Sequence, residues 1–130
     1  MTNKILGIDI SKNTFDVALL IDKKTTNKKF DNNQKGFDMF IQWLKNKEID
    51  TAHVCMEATG SYSLPLAEYL HDRNFKVSVV NPSCIKSFAQ SRMLRVKTDK
   101  SDSNLIAAFC QTMKPELWKP SPVHVRELQQ

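Results

Sequence analysis

Residues 4–21, KILGIDISKNTFDVALLI, decide the fold. An apolar run at 4–10 (KILGIDI) is followed by a second at 14–21 (TFDVALLI), with the polar turn Ser11-Lys12-Asn13 between them. That linker is too short for a parallel crossover, so the two strands form an antiparallel hairpin. Residues 25–31 (TTNKKFD) read as a third strand, more polar and toward an edge, where lysines discourage aggregation. In NNQKGFDMFIQWLKNK, Phe37, Phe40, Ile41 and Leu44 fall at i, i+3, i+4 and i+7, which predicts an amphipathic helix. Residues 52–56 (AHVCM) are nearly all apolar, as in a strand covered on both faces. Residues 62–71 (YSLPLAEYLH) predict a helix that tolerates Pro65 only in its first turn. Residues 76–80 (KVSVV) form a fifth strand, closed by Asn81-Pro82. A polar, basic stretch follows. A helical pattern returns from about Asp99 to Met113, with Leu105, Ala108 and Phe109 on one face. The order β-β-β-α-β-α-β-α describes an α/β protein: a mixed five-stranded sheet flanked by helices, with the fourth strand parallel beside the first.

The 130 residues suit one compact domain, and 41% apolar residues supply a core. No apolar run approaches the ~18 residues of a membrane span. The start, MTNKILGIDI, runs straight into a carboxylate and a polar turn, so it reads as a first strand rather than a signal peptide, and a cytoplasmic protein is expected. Cys55, Cys84 and Cys110 are widely spaced, without a CxxC pair, and read as small apolar residues rather than a disulfide framework or zinc site.

The net charge is +5, and its placement carries more information than its size. Residues 86–100 hold five cations, Lys86, Arg92, Arg95, Lys97 and Lys100, against one acid, Asp99. A second cluster, Lys23, Lys24, Lys28 and Lys29, lies near the N-terminus. Two local basic clusters together point to a polyanionic partner, whereas a single cluster reads equally as a solvated, lysine-rich surface.

Asp9 stands inside an apolar strand, between Ile8 and Ile10, and Glu57 directly follows the apolar strand AHVCM. If strands one and four are parallel neighbours, both acids lie near the carboxyl edge of the sheet, where ligand sites of open α/β sheets form. Asp99 and Asp102 are three apart and share one helix face. Four carboxylates in one place repel unless cations sit between them. Mg²⁺ prefers oxygen donors and keeps substrate phosphates in its shell, and two such ions serve phosphoryl transfer. Each acid alone has an ordinary explanation as well: Asp9 as a turn cap, Glu57 as a partner of a lysine, Asp99 and Asp102 as first-turn acids. Thr59-Gly60 offers backbone N–H groups to a phosphate, or simply a turn. His53, His71 and His124 are scattered, and His53 reads as a hydrogen-bonded core residue.

Four segments together, GIDISKNTFDVAL at 7–19, MEATGSYSLPLAEYL at 56–70, NPSCIKSFAQSR at 81–92 and KTDKSDSNLIAAFC at 97–110, resemble the DEDD transposases. These are the insertion-sequence transposases related to the Piv DNA invertase and the bridge-RNA-guided recombinases. The resemblance runs from residue 4 to about 128. It implies an RNase H-like, RuvC-like domain over 1–114 whose acidic tetrad is Asp9, Glu57, Asp99 and Asp102. It further implies Mg²⁺ or Mn²⁺ as cofactor, DNA as partner, and metal-dependent phosphodiester cleavage and strand transfer at element ends. The full-length proteins of this family are expected to be homo-oligomers, some holding a guide RNA, for which Lys86, Arg92, Arg95, Lys97 and Lys100 are the candidate contacts here. The family's nucleophilic serine lies in a second domain past a coiled coil. The chain is therefore expected to be a fragment, with 115–130 a Pro-rich exit segment. Two rival readings share these residues: a stand-alone junction nuclease of the RuvC type, and a non-catalytic nucleic-acid-binding module held by the basic stretch.

Overall fold

A computed structural model describes residues 4–58, 60–91 and 101–119. Its sheet has five strands, β1 (Lys4–Ile10), β2 (Thr14–Ile21), β3 (Lys24–Asp31), β4 (His53–Glu57) and β5 (Lys76–Val80), in the spatial order β3-β2-β1-β4-β5. The β1–β2 and β2–β3 pairs are antiparallel, and β1–β4 and β4–β5 are parallel. The expected hairpin is present and its turn is local. Ser11 N–H donates to the Thr14 carbonyl at 2.8 Å, and the Ser11 hydroxyl reaches the same oxygen at 2.9 Å. The turn is thus closed by Ser11 and Thr14, with no bond from Asp9.

Among the described residues, four helices cover the sheet: α1 (Gln34–Asn46), α2 (Leu64–Asp72), α3 (Pro82–Ser91) and α4 (Ser101–Met113). The Asn33 side chain caps α1 by accepting from Gly36 N–H at 2.8 Å. Pro65 sits in the first turn of α2, after a short 3-10 turn at Gly60–Tyr62. Because side chains alternate along a strand, each strand divides its residues between two cores. Leu6, Ile8, Phe15, Val17, Val54 and Met56 pack with Phe37, Phe40, Leu44, Leu66 and Leu70 of α1 and α2. Ile5, Ala18, Cys55 and Val80 pack with Ile85, Phe88, Ile106, Ala107 and Phe109 of α3 and α4.

Two expectations need correction. Residues 82–91, read as part of a polar, basic stretch with no helix assigned, form α3. Asn81 caps it by accepting from Ser83 N–H at 2.8 Å, and Ile85, Phe88 and Ala89 are its buried stripe. The stripe is only three residues deep and lies among hydroxyls and cations, which hid it. The cysteines are not merely small core residues either. Cys55 on β4 and Cys110 on α4 are joined as a disulfide with Cα atoms 5.8 Å apart, although 55 positions separate them in sequence. Sequence spacing carried no trace of a pairing that only the stacking of α4 on the sheet creates. Cys84 is exposed and free. Beyond α4, the Trp118 N–H donates to the Val77 carbonyl, laying the start of the exit segment beside β5.

Candidate metal centre

β1 and β4 run parallel in a register that pairs Gly7 with Cys55 and Ile8 with Met56. The next residue on each strand is Asp9 and Glu57, at the carboxyl edge of the sheet. Period-two alternation sets both on the face that carries Gly7 and Cys55, the face covered by α4. Asp16 is the direct partner of Asp9 on β2, and Lys29 is the partner of Asp16 on β3. One cross-strand row therefore reads Lys29, Asp16, Asp9, Glu57.

Helix α4 supplies the third dimension. Gly7 has no side chain, and a Cβ placed there would lie 2.8 Å from the Ala107 Cα and closer still to the Ala107 nitrogen and the Ser103 carbonyl. The backbone of α4 thus rests directly on β1. Asp102, in the first turn of α4, is the neighbour of Ser103 and is brought down toward the acidic edge.

The electrostatics show the result. Burial raises the Asp9 carboxyl above its ordinary value, and the charges of Asp102 and then Asp16 raise it further. Burial likewise raises Glu57, followed by the charges of Asp9 and Asp102. Among the described residues no ion pair reaches Asp9, Glu57 or Asp102; the Lys29–Asp16 pair, at 3.9 Å, stops one strand short. Asp9 and Glu57 are half-buried and Asp102 is exposed, and among the described residues these oxygen donors carry negative charge that no ion pair offsets. Hard divalent cations such as Mg²⁺ or Mn²⁺ fit that donor set. The three described acids do not form a set with ligand atoms all within 4.8 Å of one another. The tighter group among the described residues, with ligand atoms within 4.8 Å of one another, is His53, Cys55 and Cys110. There the two sulfurs are engaged with each other, and the imidazole Nε2 lies 2.8 Å from the Ser78 hydroxyl, so His53 is hydrogen-bonded as expected but half-buried rather than in the core.

Lys86 projects from α3 into a cavity of about 230 Å³ that Glu57, Asp102, Ile85 and Leu105 also line. Of the expected basic residues, Lys86 is therefore placed at the acids. Asp99, Arg92, Arg95, Lys97, Lys100 and Thr59 lie outside the described residues. The residue missed by sequence reasoning is Asp16. It is a carboxylate inside an apolar strand, as Asp9 is, but only its register against β1 shows that it faces Asp9.

The chain matches the IS110-type DEDD transposase family, described as a transposase, over residues 6–130. It belongs to that family. It is 39% identical over 122 residues to the pilin gene-inverting proteins of Moraxella lacunata and Moraxella bovis, covering 92% of this chain and 38% of each relative. The chain thus spans well under half the length of those curated relatives. Among solved structures, the fold is similar to Thermus thermophilus RuvC bound to a Holliday junction substrate. The TM-score is 0.57 at 11% identity, over 85% of this chain and 96% of that one. A second Thermus thermophilus RuvC structure matches with the same TM-score at 10% identity. The mixed sheet with flanking helices is accordingly an RNase H-like, RuvC-like fold. No helix among the described residues is long and apolar enough to cross a membrane.

Proposed function

We propose that this DEDD transposase chain is a metal-dependent DNA-cleaving domain of a site-specific recombinase, acting on phosphodiesters at insertion-sequence ends. The observation that carries the reading is the convergence of Asp9 and Glu57, from adjacent parallel strands, with Asp102, from a helix seated on Gly7. Asp99, one helical turn before Asp102 in sequence, is assigned as the fourth acid. Residues 1–114 are taken as the catalytic domain and 115–130 as its exit segment, since α4 ends at Met113 and Lys114 adopts a left-handed φ of 45°.

Asp9 and Glu57 would hold Mg²⁺ or Mn²⁺ from the sheet and Asp102 from α4, with Asp99 assigned to the same set by its spacing in sequence. Such ions, when bound, polarise the phosphodiester and lower the pKa of an attacking hydroxyl or water. The chain's own contribution is to fix the carboxylates on strands and a helix, which are stiffer than loops, and to keep them ionised together once cations arrive. Lys86 lines the same open groove as Glu57 and Asp102, so a phosphate held there by cations on the acids would also meet one ammonium group. The relatives are named for inverting a pilin gene, and the RuvC match was solved on a branched DNA. Both accord with DNA as the substrate. Guide RNA held by the 86–100 segment and assembly into a homo-oligomer are parts of the same proposal, and its joining step uses a serine from a further domain. Isothermal titration of Mn²⁺ into wild type and Asp9→Ala tests the metal assignment. A loss of binding in the variant is expected, and equal affinity would sink it.

A further inference from the structure

The row Lys29–Asp16–Asp9–Glu57 extends past the acids already assigned. Asp9 and Asp16 are direct cross-strand partners of like charge, an arrangement that destabilises a sheet. Lys29 meets Asp16 at 3.9 Å, with the two side chains 63% and 42% exposed. An ion pair so open to water contributes little to folding, so stability does not explain it. What the pair does is bias the ammonium group toward the acidic face, in line with the carboxylates. The strand bearing it is fixed relative to the site, because Asn27 on β3 donates through Nδ2 to Asn104 Oδ1 on α4 at 2.8 Å. Helix α4 is also the element that carries Asp102.

We propose that Lys29, braced by Asp16, is a phosphate contact of the acidic site, so that a DNA strand crosses the sheet edge with Lys86 on one flank and Lys29 on the other. This rests on the reading of the site as a DNA-cleaving centre. Lys29 lies two strands from Asp9, about 10 Å at the usual strand spacing. At a rise of about 3.4 Å per nucleotide on one strand, the contact falls roughly three nucleotides from the phosphate held at the acids. The assignment is particular to Lys29. Lys28, its neighbour, pairs with Val17, whose side chain belongs to the core under α1 and α2, so Lys28 points to the opposite face. Asp16 is a positioning residue, acting through Lys29.

The test compares Lys29→Ala, Lys29→Arg and Lys28→Ala in the full 130-residue chain. Anisotropy of a fluorescent DNA duplex is read from about 50 to 200 mM salt at fixed Ca²⁺, spanning the range over which phosphate contacts weaken. Lys29→Ala is expected to lower the log–log salt slope by about one phosphate contact and Lys29→Arg to restore it, while Lys28→Ala leaves it unchanged. Equal slope losses in Lys28→Ala and Lys29→Ala, an unchanged slope in Lys29→Ala, or no salt-dependent binding by wild type overturns the proposal. Mn²⁺ affinity measured without DNA separates the two readings. It stays at the wild-type value in Lys29→Ala, whereas the metal reading fails only if Asp9→Ala keeps it.

Discussion

Replacing Gly7 with alanine should loosen the metal centre without touching any carboxylate. The new Cβ would stand 2.8 Å from the Ala107 Cα, where ordinary contact begins at 3.4 Å, and closer to two further backbone atoms of α4. A side chain could rotate aside, but a helix backbone must move as a body, so α4 retreats by about 1 Å to clear the nearest of these atoms. Overpacking of this kind costs about 1–3 kcal/mol. At roughly 4 °C per kcal/mol for a domain of this size, the melting temperature falls by about 4–12 °C. The retreat also lifts Asp102 from Asp9 and Glu57. Loss of support around metal ligands typically lowers metal affinity by about 10–100-fold, and a decrease of at least tenfold in Mn²⁺ affinity is expected by titration calorimetry below the melting range. Gly36→Ala is the control. A Cβ at Gly36 runs into the Asp31 backbone at the start of α1, on the other side of the sheet. It should destabilise comparably and leave Mn²⁺ affinity intact. If Gly7→Ala keeps wild-type Mn²⁺ affinity, or if both variants lose it equally, the placement of Asp102 by Gly7 is wrong.

Two further outcomes follow from the charges and the sulfurs. Asp9 and Glu57 have folded-state carboxyls raised from ordinary values near 4, so what they contribute to stability is present below that pH and is lost as pH rises through their folded values. Bound Mg²⁺ removes the repulsion, so the rise in melting temperature on adding Mg²⁺ should be absent near pH 4 and full at neutral pH; a pH-independent rise would contradict this. Reducing the Cys55–Cys110 bond, which closes a loop of 55 positions, should cost up to about 4 kcal/mol by the chain-entropy relation. Denaturant midpoints with and without reductant would show it, together with thiol titration in which Cys84 alone reacts in the oxidised native protein; a midpoint insensitive to reductant would refute it.

The fold was legible wherever local periodicity and topology coincide. The three-residue turn after Ile10 forces β1 and β2 into a hairpin, and Phe37, Phe40 and Leu44 announce α1 through their spacing. The parallel placement of β4 beside β1 follows from strand order and the apolarity of AHVCM, and it alone sets Asp9 next to Glu57. What local pattern did not carry was contact between distant elements. Helix α3 buries only Ile85, Phe88 and Ala89, too short a stripe to stand out from its polar surroundings. The Cys55–Cys110 link arises from α4 lying on β4, a tertiary relation with no sequence period.

Asp16 shows where single-residue reading stops and register begins. In TFDVALLI it is one polar residue in an apolar strand, and an ordinary edge-facing position accounts for it. Once β2 is laid against β1, the same residue faces Asp9 directly, and its only described ion-pair partner, Lys29, is one strand farther out. A sheet selected for stability alone would not pair two aspartates beside a half-buried glutamate, because each added charge raises the cost of the next. Burial holds Asp9 and Glu57 up, Asp102 adds to both, and no described ion pair reaches them. Such a charge density is tolerable where a ligand of opposite sign completes the structure. By the same reasoning Gly7 serves the site, since the absence of its side chain lets α4 come close enough for the repulsion to exist.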